Sequence, residues 1–242
     1  MLAIGLAAYA LALIASAPAS LLDAGLRHIT DSRLRLAATQ GTLWSGSGQF
    51  EIRDSNKVTG ISRSLDWRIR LSALPRGKLV YEIDLGQSRR PFPVTLSPSR
   101  IALTDTDIDL PAAALALGAP RLAALNLTGD ILLHIDSLSI EREQTLGKLS
   151  LQWRNAGSAY TSISPLGNYE LNLDSDGKTI QALLHTLDGP LQLDGNGSWI
   201  NGGNPDFLAV ARVPPQHRQQ LSPLLRMIAT ERGAGDFEFQ LH

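Results

Sequence analysis

The chain has 242 residues, 43% of them hydrophobic, with 22 Lys+Arg against 23 Asp+Glu and no cysteine. Near-neutral charge gives no electrostatic footprint for general nucleic-acid binding, and the absence of cysteine excludes a disulfide scaffold, a zinc-thiolate site and a thiol nucleophile. High apolar content with balanced charge excludes a largely disordered chain, and the length allows one or two domains with a sizeable core.

The first element is an apolar block. From Leu2 to Ala17 no residue is charged, and as a helix this stretch is about 24 Å long. Adding Pro18 to Leu22 brings it near the roughly 30 Å of a hydrocarbon core. Leu2, Ile4, Leu6, Leu11, Leu13 and Ile14 are the anchor positions of this reading, which assigns residues 1–24 to a membrane anchor or signal segment. Ala17-Pro18-Ala19 fits the small-x-small pattern of a signal peptidase site, although no Lys or Arg precedes Arg27. Arg27, Arg33 and Arg35 follow the block, so a literal positive-inside count leaves the body in the cytoplasm. A helix beginning at residue 2 has no cytoplasmic loop to count, and the uncleaved anchor is the preferred reading. A buried helix of a soluble domain would show a polar face.

After residue 40 the pattern has period two. Leu65 to Leu71 alternates apolar and polar without error, as do Tyr81 to Leu85, Leu149 to Trp153, Tyr169 to Leu173, Leu191 to Leu193 and Phe237 to Leu241. Strict alternation predicts strands with one dry and one wet face, the habit of antiparallel sheets. Gly77-Lys78, Gly147-Lys148 and Asp176-Gly177-Lys178 supply turn chemistry. Helical signals are few: a short helix from Pro111 to Leu117, and a longer one from Pro215 to Arg232. The latter has Leu221, Leu224, Leu225 and Ile228 on one face and Gly233 to end it.

Two segments match each other. Ser64 to Arg68 recurs as Ser150 to Arg154, 86 residues later, and Tyr81 to Leu85 recurs as Tyr169 to Leu173, 88 residues later. The expected fold is therefore mainly β, with antiparallel meander sheets built from two related halves, about 41–110 and 125–200. An N-terminal hydrophobic helix and a short C-terminal helix complete it, with residues 25–242 as one β domain. Neither half buries its apolar face alone, so the two share one continuous or stacked sheet. Trp67, Tyr81, Trp153 and Tyr169 are expected as the repeated core aromatics.

Catalytic chemistry is not visible. The histidines lack metal-ligand spacing, no Gly-x-Ser-x-Gly elbow exists, and Gly177-Lys178-Thr179 lacks the earlier glycine of a phosphate loop. Asp105, Asp107 and Asp109 alternate, which is more simply a solvated strand edge than a calcium site. Asp174-Ser175-Asp176-Gly177 opens like a calcium loop but lacks its later oxygen ligands. No catalytic, cofactor-binding or metal-binding residue is assigned, and no cofactor is expected.

Gln40-Gly41-Thr42-Leu43-Trp44-Ser45-Gly46-Ser47-Gly48 is the most distinctive run. It reads as a strand flanked by glycines, Gly46 allowing a bulge or close backbone approach. Gly41, Thr42, Leu43, Trp44 and Gly46 also resemble the Gly-Thr-apolar-Trp-x-Gly signature of the type II secretion system protein N family. The Leu65 to Trp67 and Leu151 to Trp153 strands, Leu166-Gly167-Asn168-Tyr169, the Gly189 to Gly195 run and the Leu224-Leu225 helix follow in the family's order. The similarity extends over essentially the whole chain; the missing basic n-region is the departure. The resemblance implies a single-pass inner-membrane component of a Gram-negative secretion machine. Its body would lie in the periplasm, its role would be non-enzymatic, and its partners would be other secretion-system subunits. Lack of cysteine suits an oxidising periplasm.

Two other functions compete with that of an adaptor or assembly subunit. A periplasmic carrier of lipid or another hydrophobe needs the apolar sheet face to form an open groove. A secreted β-sandwich that binds or cleaves a glycan needs exposed aromatics among Trp44, Trp67, Trp153 and Trp199. Burial of Leu65, Trp67, Tyr81, Leu151, Trp153 and Tyr169 discriminates between an open groove and a closed core.

Overall fold

The computed structural model describes residues 5–6, 9, 12–13, 15–32, 34–53, 59–86, 90–115, 120–141, 144–233 and 235–241. Of the anchor positions, Leu2, Ile4, Leu11 and Ile14 lie outside the described residues, whereas Leu6 and Leu13 are helical and exposed. Among the described residues no helix is long and apolar enough to cross a membrane. The chain divides into two compact units, Met1–Leu96 and Ser97–His242.

In the N-terminal unit, helix α1 (Ser20–Ile29) precedes strands β1 (Leu34–Gly41), β2 (Ser45–Arg53), β3 (Thr59–Arg70), β4 (Leu79–Asp84) and β5 (Phe92–Ser97). Asp23 in the first turn of α1 and Arg27 and His28 in the last complement the helix dipole. Leu22 and Leu26 pack on the core formed by Leu36, Leu65, Trp67, Ile69 and Tyr81. The helix also serves the edge of β1: Leu36 N–H donates to Asp23 Oδ1 at 2.9 Å, and Leu34 N–H donates to Thr30 Oγ1 at 3.1 Å. Edge amides that would otherwise invite pairing with another chain are thereby occupied. The alternation of β3 is obeyed, Ile61, Leu65, Trp67 and Ile69 being buried.

In the C-terminal unit, β6 (Arg100–Pro111), β7 (Leu127–Glu141), β8 (Gln144–Ser158), β9 (Gly167–Asp176), β10 (Thr179–Asp188), β11 (Gln192–Ile200) and β12 (Phe207–Arg212) run as a meander. Helix α2 (Arg218–Leu225), β13 (Thr230–Gly233) and β14 (Asp236–Leu241) close it. Strand order follows the chain within each unit, β1 to β5 in the first and β6 to β12, then β14 and β13, in the second, with antiparallel neighbours throughout. The core of this unit gathers Ala156, Leu166, Tyr169, Leu191, Phe237 and the α2 residues Leu221, Leu224 and Leu225.

Several local expectations change. The helix expected from Pro215 to Arg232 is a 3-10 turn at Pro215–His217 followed by α2, and it stops at Leu225. Thr230–Gly233 is a strand paired with β14, because its backbone groups gain ladder partners there. Gly147 lies inside β8 opposite Leu138, where a Cβ would stand 2.2 Å from Ser137 O, so it serves a close approach of two strands and not a hairpin turn. The Asp176–Gly177 turn is as expected, with Asp176 Oδ1 accepting from the Lys178 and Thr179 amides. Pro111 is followed by a 3-10 turn at Ala112–Ala114 and Leu115 is helical, while 116–117 of the expected short helix lie outside the described residues.

Candidate functional site

The glycine-flanked signature folds as the turn between β1 and β2. Gly41 pairs with Gly46, and Thr42 N–H donates to Ser45 O at 2.9 Å. Thr42 Oγ1 accepts from the Trp44 and Ser45 amides, both at 3.3 Å. Gly46 lies directly opposite Trp67 on β3. A Cβ there would stand 2.5 Å from Trp67 Cζ2 and 2.2 Å from Gln40 O, so only glycine lets the indole lie across the strand. Trp67, 3% exposed, donates its Nε1–H to Thr42 O at 3.1 Å. Trp44 is half-buried beside this core, and its carbonyl accepts from Ile69 N–H at 2.8 Å.

The same turn holds the chain arriving from the N-terminus. Pro18 forms a bridge with Thr42. Leu43 N–H donates to Ala17 O at 2.8 Å, and Ala19 N–H donates to Gly41 O at 3.3 Å. Ala19 is 2% exposed. Residues 17–19 are therefore an added element of the body, held by the signature through backbone bonds.

The tryptophan arrangement recurs in the C-terminal unit. Trp153 Nε1–H donates to Thr128 O at 3.0 Å, and Thr128 and Trp153 each stand 86 residues after Thr42 and Trp67. Register fixes the remaining equivalence: Trp67 faces Ile83, whereas Trp153 faces Tyr169. Tyr81 instead faces Ile69. The apparent drift from 86 to 88 thus pairs two tyrosines on different rungs; Ile83 is the counterpart of Tyr169 at a constant 86. Trp153 and Tyr169 rings lie 5.7 Å apart, tilted by 52°. Burial pushes both the Tyr81 and Tyr169 phenols above their ordinary value, and Tyr169 Oη–H donates to Leu191 O at 2.9 Å.

Of the discriminating residues, Leu65, Trp67, Tyr81 and Tyr169 are buried, while Leu151 and Trp153 are half-buried. The latter pair, with Tyr169, line a cavity of about 370 Å³ in the C-terminal unit, walled further by α2 and by the 3-10 segment Pro120–Leu125. None of the four tryptophans is exposed, which removes the stacking platform that a glycan reading requires.

A family description of type II secretion system protein N matches residues 32–240. The chain belongs to the type II secretion system protein N family. Membership makes it a component of that secretion system. No curated protein and no solved structure gives a match. The match begins just before β1 and so includes the signature turn, both tryptophan–threonine contacts and the C-terminal cavity.

The polar face of this family member carries ion pairs. His134 bridges Asp107 at 2.7 Å and Asp136 at 3.2 Å, and the Asp107 contact first, then Asp136, holds its imidazolium above the ordinary range. Asp105, expected on the same face as Asp107 and Asp109, has φ +47° and interrupts the ladder between Thr104 and Thr106. Glu170 accepts from Gln152 at 2.8 Å, which with Asn172 and His185 keeps its carboxyl below the usual range. No group of three or more His, Asp or Glu among the described residues is arranged to hold a metal ion. Sequence reasoning missed the junction at residues 17–19, the Asp23 contact with the β1 edge, and Thr128. Only Thr128 left a trace, as the residue 86 places after Thr42.

Proposed function

We infer that this protein is a non-enzymatic subunit of the type II machinery, anchored in the inner membrane by its N-terminal apolar segment, with its body in the periplasm. It acts as an assembly or adaptor subunit in the export of folded proteins. The observation that supports this reading is the junction at the signature turn. Ala17 O, Pro18 and Ala19 N–H are all fixed to residues 41–43, so the apolar segment leaves the body at a defined point with no slack linker. An anchor joined in this way orients the sheet relative to the bilayer, which a passive tether does not. Partner subunits would dock by strand addition or on the polar face. β13 pairs with β14 only over Asp236–Glu238, and the outer edge of β14 beyond Glu238 is the candidate edge.

The test uses the cysteine-free background. Asn204, exposed in the turn after β11, is replaced by cysteine in the full chain and exposed in intact cells to a membrane-impermeant maleimide. Labelling after outer-membrane permeabilisation alone, with restored export in a strain lacking the gene, is the expected result. Labelling only after inner-membrane lysis refutes the periplasmic body.

A further inference from the structure

The cavity of the C-terminal unit has features that a closed core does not need. Protein interiors hold few voids larger than a water molecule, yet this one measures about 370 Å³. A small residue helps keep it open. Leu184, Ala209 and Phe239 line the cavity from one row of the sheet, and Ala209 contributes only a methyl group. A larger residue there would fill the space.

Its lining excludes polar occupants. Among the lining residues only Trp153 and Tyr169 carry a polar side-chain atom, and both are spent on backbone carbonyls, Thr128 O at 3.0 Å and Leu191 O at 2.9 Å. An ordered water needs two to four polar partners and finds none free there. What enters must be hydrocarbon.

Shape narrows the class. The wall runs across six adjacent strands, β8 to β12 and then β14. Five spacings between strands come to about 24 Å. An apolar slot that crosses so many strands is elongated, the form that one extended aliphatic chain fits. The geometry points to a binding site for a single acyl chain, lying across the sheet beneath α2 with its head group outside. This site is independent of the anchoring role and is tested separately from it.

The experiment uses the purified, delipidated full chain with palmitate bearing a mid-chain diazirine, and with vesicles of phosphatidylglycerol carrying the same acyl chain. Native mass spectrometry counts bound chains, and peptide mapping after irradiation locates them. One acyl chain per protein, crosslinked to β8–β12, β14 or α2, is expected. Uptake from solution or from vesicles equally supports the site and identifies the source. Ala209→Leu and Leu184→Trp each fill the cavity and should weaken binding at least tenfold while the circular dichroism spectrum is retained. Lys148→Ala, on the polar face, should bind as the parent does. Absence of bound palmitate and phospholipid in the parent chain overturns the proposal. So do adducts confined to other regions, or unchanged binding in a folded cavity-filled variant. Should both variants misfold, the crosslink map of the parent decides.

Discussion

Replacing Trp67 tests how the signature turn is held. A tryptophan buries about 150–250 Å², and Trp67 is 3% exposed. At about 25 cal/mol per Å² this area corresponds to about 4–6 kcal/mol, an upper bound because the denatured chain is itself partly collapsed. Trp67→Ala is therefore expected to cost about 3–5 kcal/mol, the range of large-to-small aromatic substitutions. Trp67→Phe keeps most of the ring but removes the Nε1–H donated to Thr42 O, and should cost about 1–2 kcal/mol. Urea unfolding followed by far-ultraviolet circular dichroism reads both, with the N-terminal unit fitted as its own transition if two appear. A loss below about 1 kcal/mol for Trp67→Ala, or Trp67→Phe as stable as the parent, would refute the claim that the indole clamps the turn.

Gly46→Ala puts a methyl against Gln40 O and Trp67 and should destabilise by about 1–3 kcal/mol, as overpacking does; equal midpoints in urea would contradict the close approach. A chain starting at residue 17 should melt with the parent, whereas one starting at residue 21 loses the bonds of Ala17 and Ala19 to the signature and should melt lower. Coincident melting temperatures for the two truncations would remove the junction. Asp107 and Asp136 raise the folded-state value of His134, so its contribution is complete below the unfolded value of about 6.5 and is lost as pH rises through the folded value. The melting-temperature gap between the parent and His134→Gln should thus be wider near about pH 6 than near about pH 8.5; a gap that widens with pH contradicts the bridge.

The meander was legible because period two is a local property. Leu65, Trp67 and Ile69 declare their shared face within one strand, and the structure buries all three. What went unread depends on residues far apart in the chain. Gly46 is recognisable as a glycine in a strand, but the reason for it is an indole 21 residues away. Ala17-Pro18-Ala19 carries no pattern that distinguishes a cleavage site from a segment bonded to a turn, because the bonds are made by the backbone alone. Trp44 heads the signature, yet it is Trp67 that fills the core, since Trp44 sits at the turn and only half of it finds cover. The C-terminal helix was over-extended because Ile228 continues the apolar spacing, while pairing with β14 claims Thr230–Gly233. The cavity is invisible in sequence: Leu184, Ala209 and Phe239 share one wall only once four strands align them.

The proposed anchor is an apolar segment joined through residues 17–19 to the signature turn. Membrane fractionation with an alkaline wash, run beside an export assay, measures this most directly. The full chain should remain in the inner-membrane pellet and restore export, while residues 17–242 should be folded, soluble and unable to restore it. Residues 17–242 remaining with the washed membranes, or restoring export from the soluble fraction, would contradict the account.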